Sequence, residues 1–167
     1  MNKLVILSGV PGSGKSYFSS LLRKNKKGHV YIISSDSLRD MIVGNQQDLS
    51  YDEVMWKMFY DLAKVYALDK DGIVVLDATN RNTDLRIKQT TQFQPYFDQI
   101  ILVYFDIPKA IAYQQNLDRE FPVPEQVLDN FYQIIEPPSK DDYQYFHQVY
   151  IAKNDNFLEI VNELINK

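Results

Sequence analysis

The chain has no cysteine, two histidines, one tryptophan and six glycines in 167 residues. Without cysteine there is no disulfide frame, no thiol nucleophile and no thiolate metal site. His29 and His147 stand far apart with no metal-ligand partner near either, so both read as ordinary surface or core histidines. Positive charge is not in excess: 18 Lys and Arg against 22 Asp and Glu give a net charge of −4. A surface that grips long nucleic acid is basic, so any nucleic-acid contact of this chain is expected to be local. No apolar run reaches membrane length, and Leu4-Val5-Ile6-Leu7 is too short for a secretory signal. Repeats, low-complexity tracts and linkers are missing too. Together these absences point to a cytoplasmic protein with no membrane segment, folded as a single domain over residues 1–167.

What is present is concentrated near the start. Gly9-Val10-Pro11-Gly12-Ser13-Gly14-Lys15-Ser16 reads G-x-x-x-x-G-K-S, the phosphate-binding P-loop. Glycines let the backbone bend so that its N–H groups line a nest for phosphate oxygens. A helix beginning at Gly14 or Lys15 adds the positive end of its dipole. Lys15 then reaches the β- and γ-phosphates, and the Ser16 hydroxyl is a ligand for Mg²⁺. The apolar run at 4–7 before the loop is a strand. The residues after it place Phe18, Leu21 and Leu22 on one helical face. Strand, glycine loop and helix are what the motif requires. The expected nucleotide-binding set is Gly9, Gly12, Ser13, Gly14, Lys15 and Ser16, with ATP and Mg²⁺ as cofactors.

Beyond the loop, strands alternate with helices, which predicts a three-layer α/β fold with a parallel sheet of four or five strands. The basic residues from Arg23 to Lys27 complement a helix C-terminus that Gly28 ends. Val30–Ile33 is strand two, and Ser35 or Asp36 is expected to cap the helix after it. Asp36 also falls at the strand's C-terminal edge, where open α/β sheets bind ligands, and Arg39 shares its helical face. Ser50-x-x-Glu53 reads as a capping box. It opens a helix whose core stripe is Tyr51, Val54, Met55, Met58, Leu62, Val65 and Tyr66. Asp69–Gly72 is a turn. Ile73–Leu76 is a buried parallel strand ending in Asp77, the position of a Walker B carboxylate.

Residues 82–93 are helical, 99–105 form strand four, and Pro108 opens a helix. A further helix places Val127, Leu128, Phe131, Ile134 and Ile135 on one face. After a polar, Tyr-rich stretch come strand five at 148–151 and a last helix, 156–165, that buries Phe157, Ile160, Val161 and Leu164. Small P-loop kinases close an arginine-bearing lid over the phosphates. Residues 112–124 lie where such a helical lid belongs, with Arg119 its best candidate for neutralising the transferring phosphoryl group.

The chain resembles the 5′-hydroxyl polynucleotide kinases of the phage and bacterial kind from Leu4 to about Tyr132. Four features in order carry the resemblance: the glycine loop at 9–16, Asp36-x-x-Arg39, Asp77-x-Thr79-Asn80, and Asn116-x-x-Arg119 followed by Val123-Pro124. The resemblance implies that Asp36 is the general base for a 5′-hydroxyl and that Arg39 holds the adjacent phosphate. It also implies that Asp77 is needed for activity and that Arg119 contacts ATP phosphates. The catalytic set is then Lys15, Asp36 and Arg119, the substrate set Asp36, Arg39 and Asp77, and the partner a nucleic-acid 5′ end or a nucleoside 3′-phosphate. The residues around Arg119 are mostly neutral, with Gln115 where the phage enzymes carry another arginine. No Asp-x-Asp-Gly-Thr follows, so the fused 3′-phosphatase of some relatives is not expected. Two other readings stand beside this one: a small-molecule or sugar-nucleotide kinase on the same scaffold, and a non-enzymatic nucleotide-binding module. Asp36 speaks against the second, which needs no general base.

Overall fold

A computed structural model describes residues 1–167. Five strands alternate with eight helices: β1 (Lys3–Ser8), α1 (Lys15–Asn25), β2 (Val30–Ser34), α2 (Ser35–Val43), α3 (Asp52–Tyr66), β3 (Ile73–Asp77), α4 (Thr83–Phe93), β4 (Gln99–Phe105), α5 (Lys109–Leu117), α6 (Glu125–Ile134), α7 (Lys140–Tyr145), β5 (Gln148–Ala152) and α8 (Phe157–Asn166). The sheet is parallel throughout, in the order β2-β3-β1-β4-β5. Central β1 is buried along its whole length, which is why its sequence is a continuous apolar run rather than an alternating one. Successive side chains point to opposite faces. Val5 and Leu7 meet Phe18, Leu22, Val161 and Leu164 on one side, and Leu4 and Ile6 meet Met55, Phe59 and Phe93 on the other. All strand C-termini therefore share one edge, where ligands of open α/β sheets bind.

Several local expectations are corrected. The cap of α2 is Ser34, whose hydroxyl accepts from the Ser37 N–H at 3.2 Å; Ser35 and Asp36 lie in the first turn. This frees the Asp36 carboxylate for longer-range partners. The capping box at 50–53 does not form. The Asp48 carboxylate takes both the N–H and the hydroxyl of Ser50, at 2.9 and 2.6 Å, and α3 starts without a side-chain cap. The buried stripe of α3 is Met55, Phe59, Ala63 and then Ala67, whereas Tyr51, Val54 and Val65 are exposed. On α6 only Leu128 is fully buried, and Ile134 is exposed. The polar stretch after Pro138 holds a short helix, α7, with a true capping box between Ser139 and Asp142. No helix is long and apolar enough to cross a membrane.

Candidate active site

The P-loop joins β1 to α1. Gly12 and Gly14 take positive φ, 80° and 96°, which L-residues rarely adopt. Gly14 has a second constraint: a Cβ there would lie 2.9 Å from the Phe157 ring. Phe157, Phe18 and Phe105 pack edge to face with centroids 5.4 to 5.8 Å apart, a floor under the loop. A Cβ on Gly12 would collide with the Ala112 carbonyl oxygen, so the loop also rests directly on α5. No side chain caps the first turn of α1, so its N–H donors face the cleft unmatched by any cap. The Ser13 hydroxyl is buried and has no partner within the protein.

Lys15 Nζ donates to the Gly9 and Val10 carbonyls at 2.9 Å each. Ser16 Oγ donates to Asp77 Oδ2 at 3.0 Å, bringing the loop and the tip of β3 together. Asp77 is buried, and burial pushes its carboxyl up from the ordinary range against the opposing pull of Lys15 and Ser16. Burial likewise lowers the Lys15 ammonium, to about 8, with Asp77 pulling the other way. The hydroxyl of Ser16 and the carboxylate of Asp77 are hard oxygen donors of the kind Mg²⁺ takes. They fit the ion as two protein ligands, with phosphate oxygens and water to complete the shell. No cluster of three or more His, Cys, Asp or Glu offers a separate metal cage.

Asp36 is gripped from two sides. Arg39 Nη1 donates to its Oδ1 at 3.1 Å, and Arg119 Nη2 donates to its Oδ2 at 3.1 Å. Arg39 is itself held in a fork by Asp52, Nε to Oδ1 at 2.8 Å and Nη2 to Oδ2 at 3.0 Å, and its Nη1 also donates to the Gln46 carbonyl. Asp52 went unseen in the sequence because it lies inside the apparent capping box.

The expected helical lid at 112–124 divides in two. Residues up to Leu117 belong to α5, whose Ala112 and Asn116 are buried. Arg119 stands on the turn that follows, not on a helix. The Asn116 side chain closes that turn, donating to the Val123 carbonyl at 2.9 Å and accepting from the Val123 N–H at 3.1 Å.

Lys15, Ser16, Asp36, Arg39, Asp77 and Arg119 all line one cleft of about 1420 Å³. That exceeds the span usual for a single small ligand, roughly 300–1,000 Å³, and leaves room for a second molecule beside a nucleotide. Trp56, Leu85 and Phe121 line the same cleft, as does Arg81. None of these four was singled out in the sequence: Trp56 and Leu85 lie within predicted helices, Phe121 within the expected lid, and Arg81 in a polar turn. A buried ion pair behind the cleft was equally silent. Arg86, fully buried, donates to Asp142 from Nε at 3.0 Å and Nη2 at 2.8 Å. Its Nη1 reaches Ser8 Oγ and the Asn80 carbonyl, both at 3.2 Å, at the tips of β1 and β3.

Fold and loop geometry together define a P-loop kinase fold. Residues 4–138 match the AAA domain family, and the chain belongs to that family. It is 26% identical over 128 residues to Toxin zeta of Streptococcus agalactiae, covering 68% of this chain and 42% of the toxin. It is also 26% identical over 138 residues to the L-seryl-tRNA(Sec) kinase of Methanococcus maripaludis, covering 81% of this chain and 53% of that enzyme. The chain thus spans about half the length of the curated relatives it matches. Among solved structures, Chaetomium thermophilum Kti12 in complex with ADP-AlF3 superposes with a TM-score of 0.71 at 16% identity, over 96% of both chains.

Proposed function

We propose that the protein is an ATP-dependent kinase of the cytoplasm that transfers the γ-phosphate to a hydroxyl. The observation that carries this reading is Asp36: a carboxylate at the tip of β2, in the same cleft as the P-loop, oriented by two arginines. A nucleotide switch has no use for such a group, whereas a hydroxyl that attacks phosphorus must lose its proton to one. In the proposed step Asp36 accepts the proton as the acceptor oxygen bonds to the γ-phosphorus. The bond to the β,γ-bridging oxygen breaks, and ADP leaves. Lys15 and the loop N–H groups bind the β- and γ-phosphates, and Arg119 neutralises charge on the transferring group. Ser16 and Asp77 would hold Mg²⁺, which when bound offsets phosphate charge.

The acceptor we favour is the 5′-hydroxyl of a nucleic-acid end or of a nucleoside 3′-phosphate, on the strength of the Asp36-x-x-Arg39, Asp77 and Arg119 pattern. A second reading, a small-molecule kinase, draws support from the apolar wall of Trp56, Leu85 and Phe121, which suits a compact acceptor. An acceptor screen with γ-labelled ATP decides between them. Label on 5′-hydroxyl oligonucleotides and nucleoside 3′-phosphates supports the first, and label on free nucleosides or sugars alone supports the second. Nucleotide binding with no transfer to any acceptor would overturn the enzymatic reading.

A further inference from the structure

The cleft contains four cations, Lys15, Arg39, Arg81 and Arg119. Three of them are committed. Lys15 is bound to two loop carbonyls, and Arg119 to Asp36. Arg39 is the most occupied: four of the five N–H donors of a guanidinium are used, on Asp52, Asp36 and Gln46. Arg39 is also buried. The carboxylates of Asp36 and Asp52 lie on either side of it, and with Arg119 on Asp36 the cluster of two arginines and two carboxylates is already neutral. Such a group does not attract a further anion, and taking one would mean releasing the Asp52 fork.

Arg81 is the opposite case. Its side chain is exposed, lines the cleft and forms neither an ion pair nor a hydrogen bond. Its backbone, by contrast, is fixed on every side. The Arg81 carbonyl accepts from the Glu136 N–H at 2.7 Å, the preceding Asn80 donates to the Leu7 carbonyl at 2.6 Å, and the following Asn82 caps α4 through the Leu85 N–H at 2.9 Å. With the backbone already anchored, only the Arg81 side chain itself has to be ordered by a ligand. It is also well placed. Ser34 and Asp77 are register partners at the ends of neighbouring strands, and the segments that carry Asp36 and Arg81 leave from these two adjacent tips. Trp56 lines the same cleft and stacks on Tyr60, whose hydroxyl accepts from Gln89 of α4.

We infer that Arg81 holds the anionic group of the acceptor, and that Arg39 is a positioning residue that aims Asp36. This inference rests on the hydroxyl-kinase reading above. The acceptor class it defines carries a hydroxyl for Asp36, a flat or apolar body for Trp56 and Leu85, and a phosphate or carboxylate for Arg81.

Trp56 is the only tryptophan, so its fluorescence reports occupancy of this half of the cleft. The test titrates adenosine 3′-phosphate, adenosine and gluconate into the protein saturated with a non-hydrolysable ATP analogue, in wild type, Arg81→Ala and Arg39→Lys. Label transfer is measured in parallel, with Asp52→Asn as a gentler disturbance of Arg39. Losing a charge-assisted contact should weaken the anionic acceptor roughly 10-fold or more in Arg81→Ala and leave adenosine unchanged. A response to adenosine 3′-phosphate alone identifies a nucleotide phosphate as the source, and a response to gluconate identifies a sugar acid. Arg39→Lys and Asp52→Asn should lower kcat for every acceptor alike, with KM preserved. Equal behaviour of charged and neutral acceptors in Arg81→Ala, no response to either anion in wild type, or selective loss of anion binding in Arg39→Lys would each overturn the inference. The two readings fail separately. Charge-selective binding without any transfer leaves the subsite standing and removes the kinase, and transfer that ignores Arg81 does the reverse.

Discussion

Arg119 and Asp36 lie 83 residues apart in the chain, and their side chains meet with Nη2 3.1 Å from Oδ2. The residue proposed to neutralise phosphoryl charge is thus bonded to the residue proposed to remove the proton. Arg119→Ala should lower the single-turnover rate by roughly 10³-fold, the scale of an arginine that stabilises transferring charge. Arg119→Lys should be impaired as well, because a point charge cannot serve a carboxylate and a phosphate with one planar fork. An unchanged rate in the alanine variant would assign this role to another group.

Asp36→Asn keeps the size of the side chain and one acceptor oxygen for an arginine, but it cannot take a proton usefully. Turnover should fall by roughly 10²-fold or more while nucleotide affinity holds. Calorimetry alongside steady-state rates separates the two quantities. A wild-type rate in this variant would reduce Asp36 to an anchor for Arg39 and Arg119.

The Lys15 ammonium, lowered to about 8 chiefly by burial, should make nucleotide binding sensitive to alkali. Below that value the group is charged and attracts phosphate, and above it the group is neutral. Affinity should be level around pH 7 and decline as pH rises beyond about 8. Lys15→Ala should bind weakly with no such decline. Stability follows the linkage sign of a lowered lysine. The unfolded chain holds the proton up to about 10.5, so between about 8 and 10.5 rising pH favours the folded state. A nucleotide affinity independent of pH over this window would show that Lys15 stays charged throughout.

Arg86 and Asp142 form a fully buried pair. Burial alone would push the Asp142 carboxyl up, but the donors from Arg86, Ser139 and Thr83 together hold it below the usual range. Arg86→Ala should destabilise the fold by about 3–5 kcal/mol, since it strands a buried carboxylate. A urea titration reads this directly, and adding Asp142→Ala should recover part of the loss. Because the carboxyl is lowered in the folded state, its contribution is complete above the unfolded carboxylate value and disappears as pH falls through the folded one. An acid-unfolding midpoint identical in wild type and Asp142→Asn would contradict this.

The parts of the site that could be read from the sequence are those fixed by local constraint. Gly12 and Gly14 need positive φ within a few residues of Lys15, and the apolar runs before Asp36 and Asp77 place each carboxylate at a strand tip whatever the sheet order. Contacts across the chain left no such trace. Asp52 meets Arg39 over 13 residues and looked like part of a cap. Arg86 meets Asp142 over 56 residues, on a helix too polar to announce itself. The α3 stripe held at Met55, Met58, Leu62 and Tyr66, which pack on the core, and failed at Tyr51, Val54 and Val65, which are apolar yet face solvent. Phe59 and Ala63, which the stripe left out, complete the packed face.

The seat of α5 against Gly12 limits how the Arg119 turn can travel. Helix and loop touch backbone to backbone, and Asn116 and Val123 latch the turn shut at its base. Of the six residues between the latch points, Leu117 still belongs to α5, Arg119 bonds to Asp36, and the Pro122 carbonyl accepts from Gln47 Nε2. This makes a short crank on a fixed axle rather than a swinging door. Arg119, three residues from one pivot, sits on a tether fixed at both ends. A swing wide enough to open the cleft would first have to break the Asn116–Val123 latch.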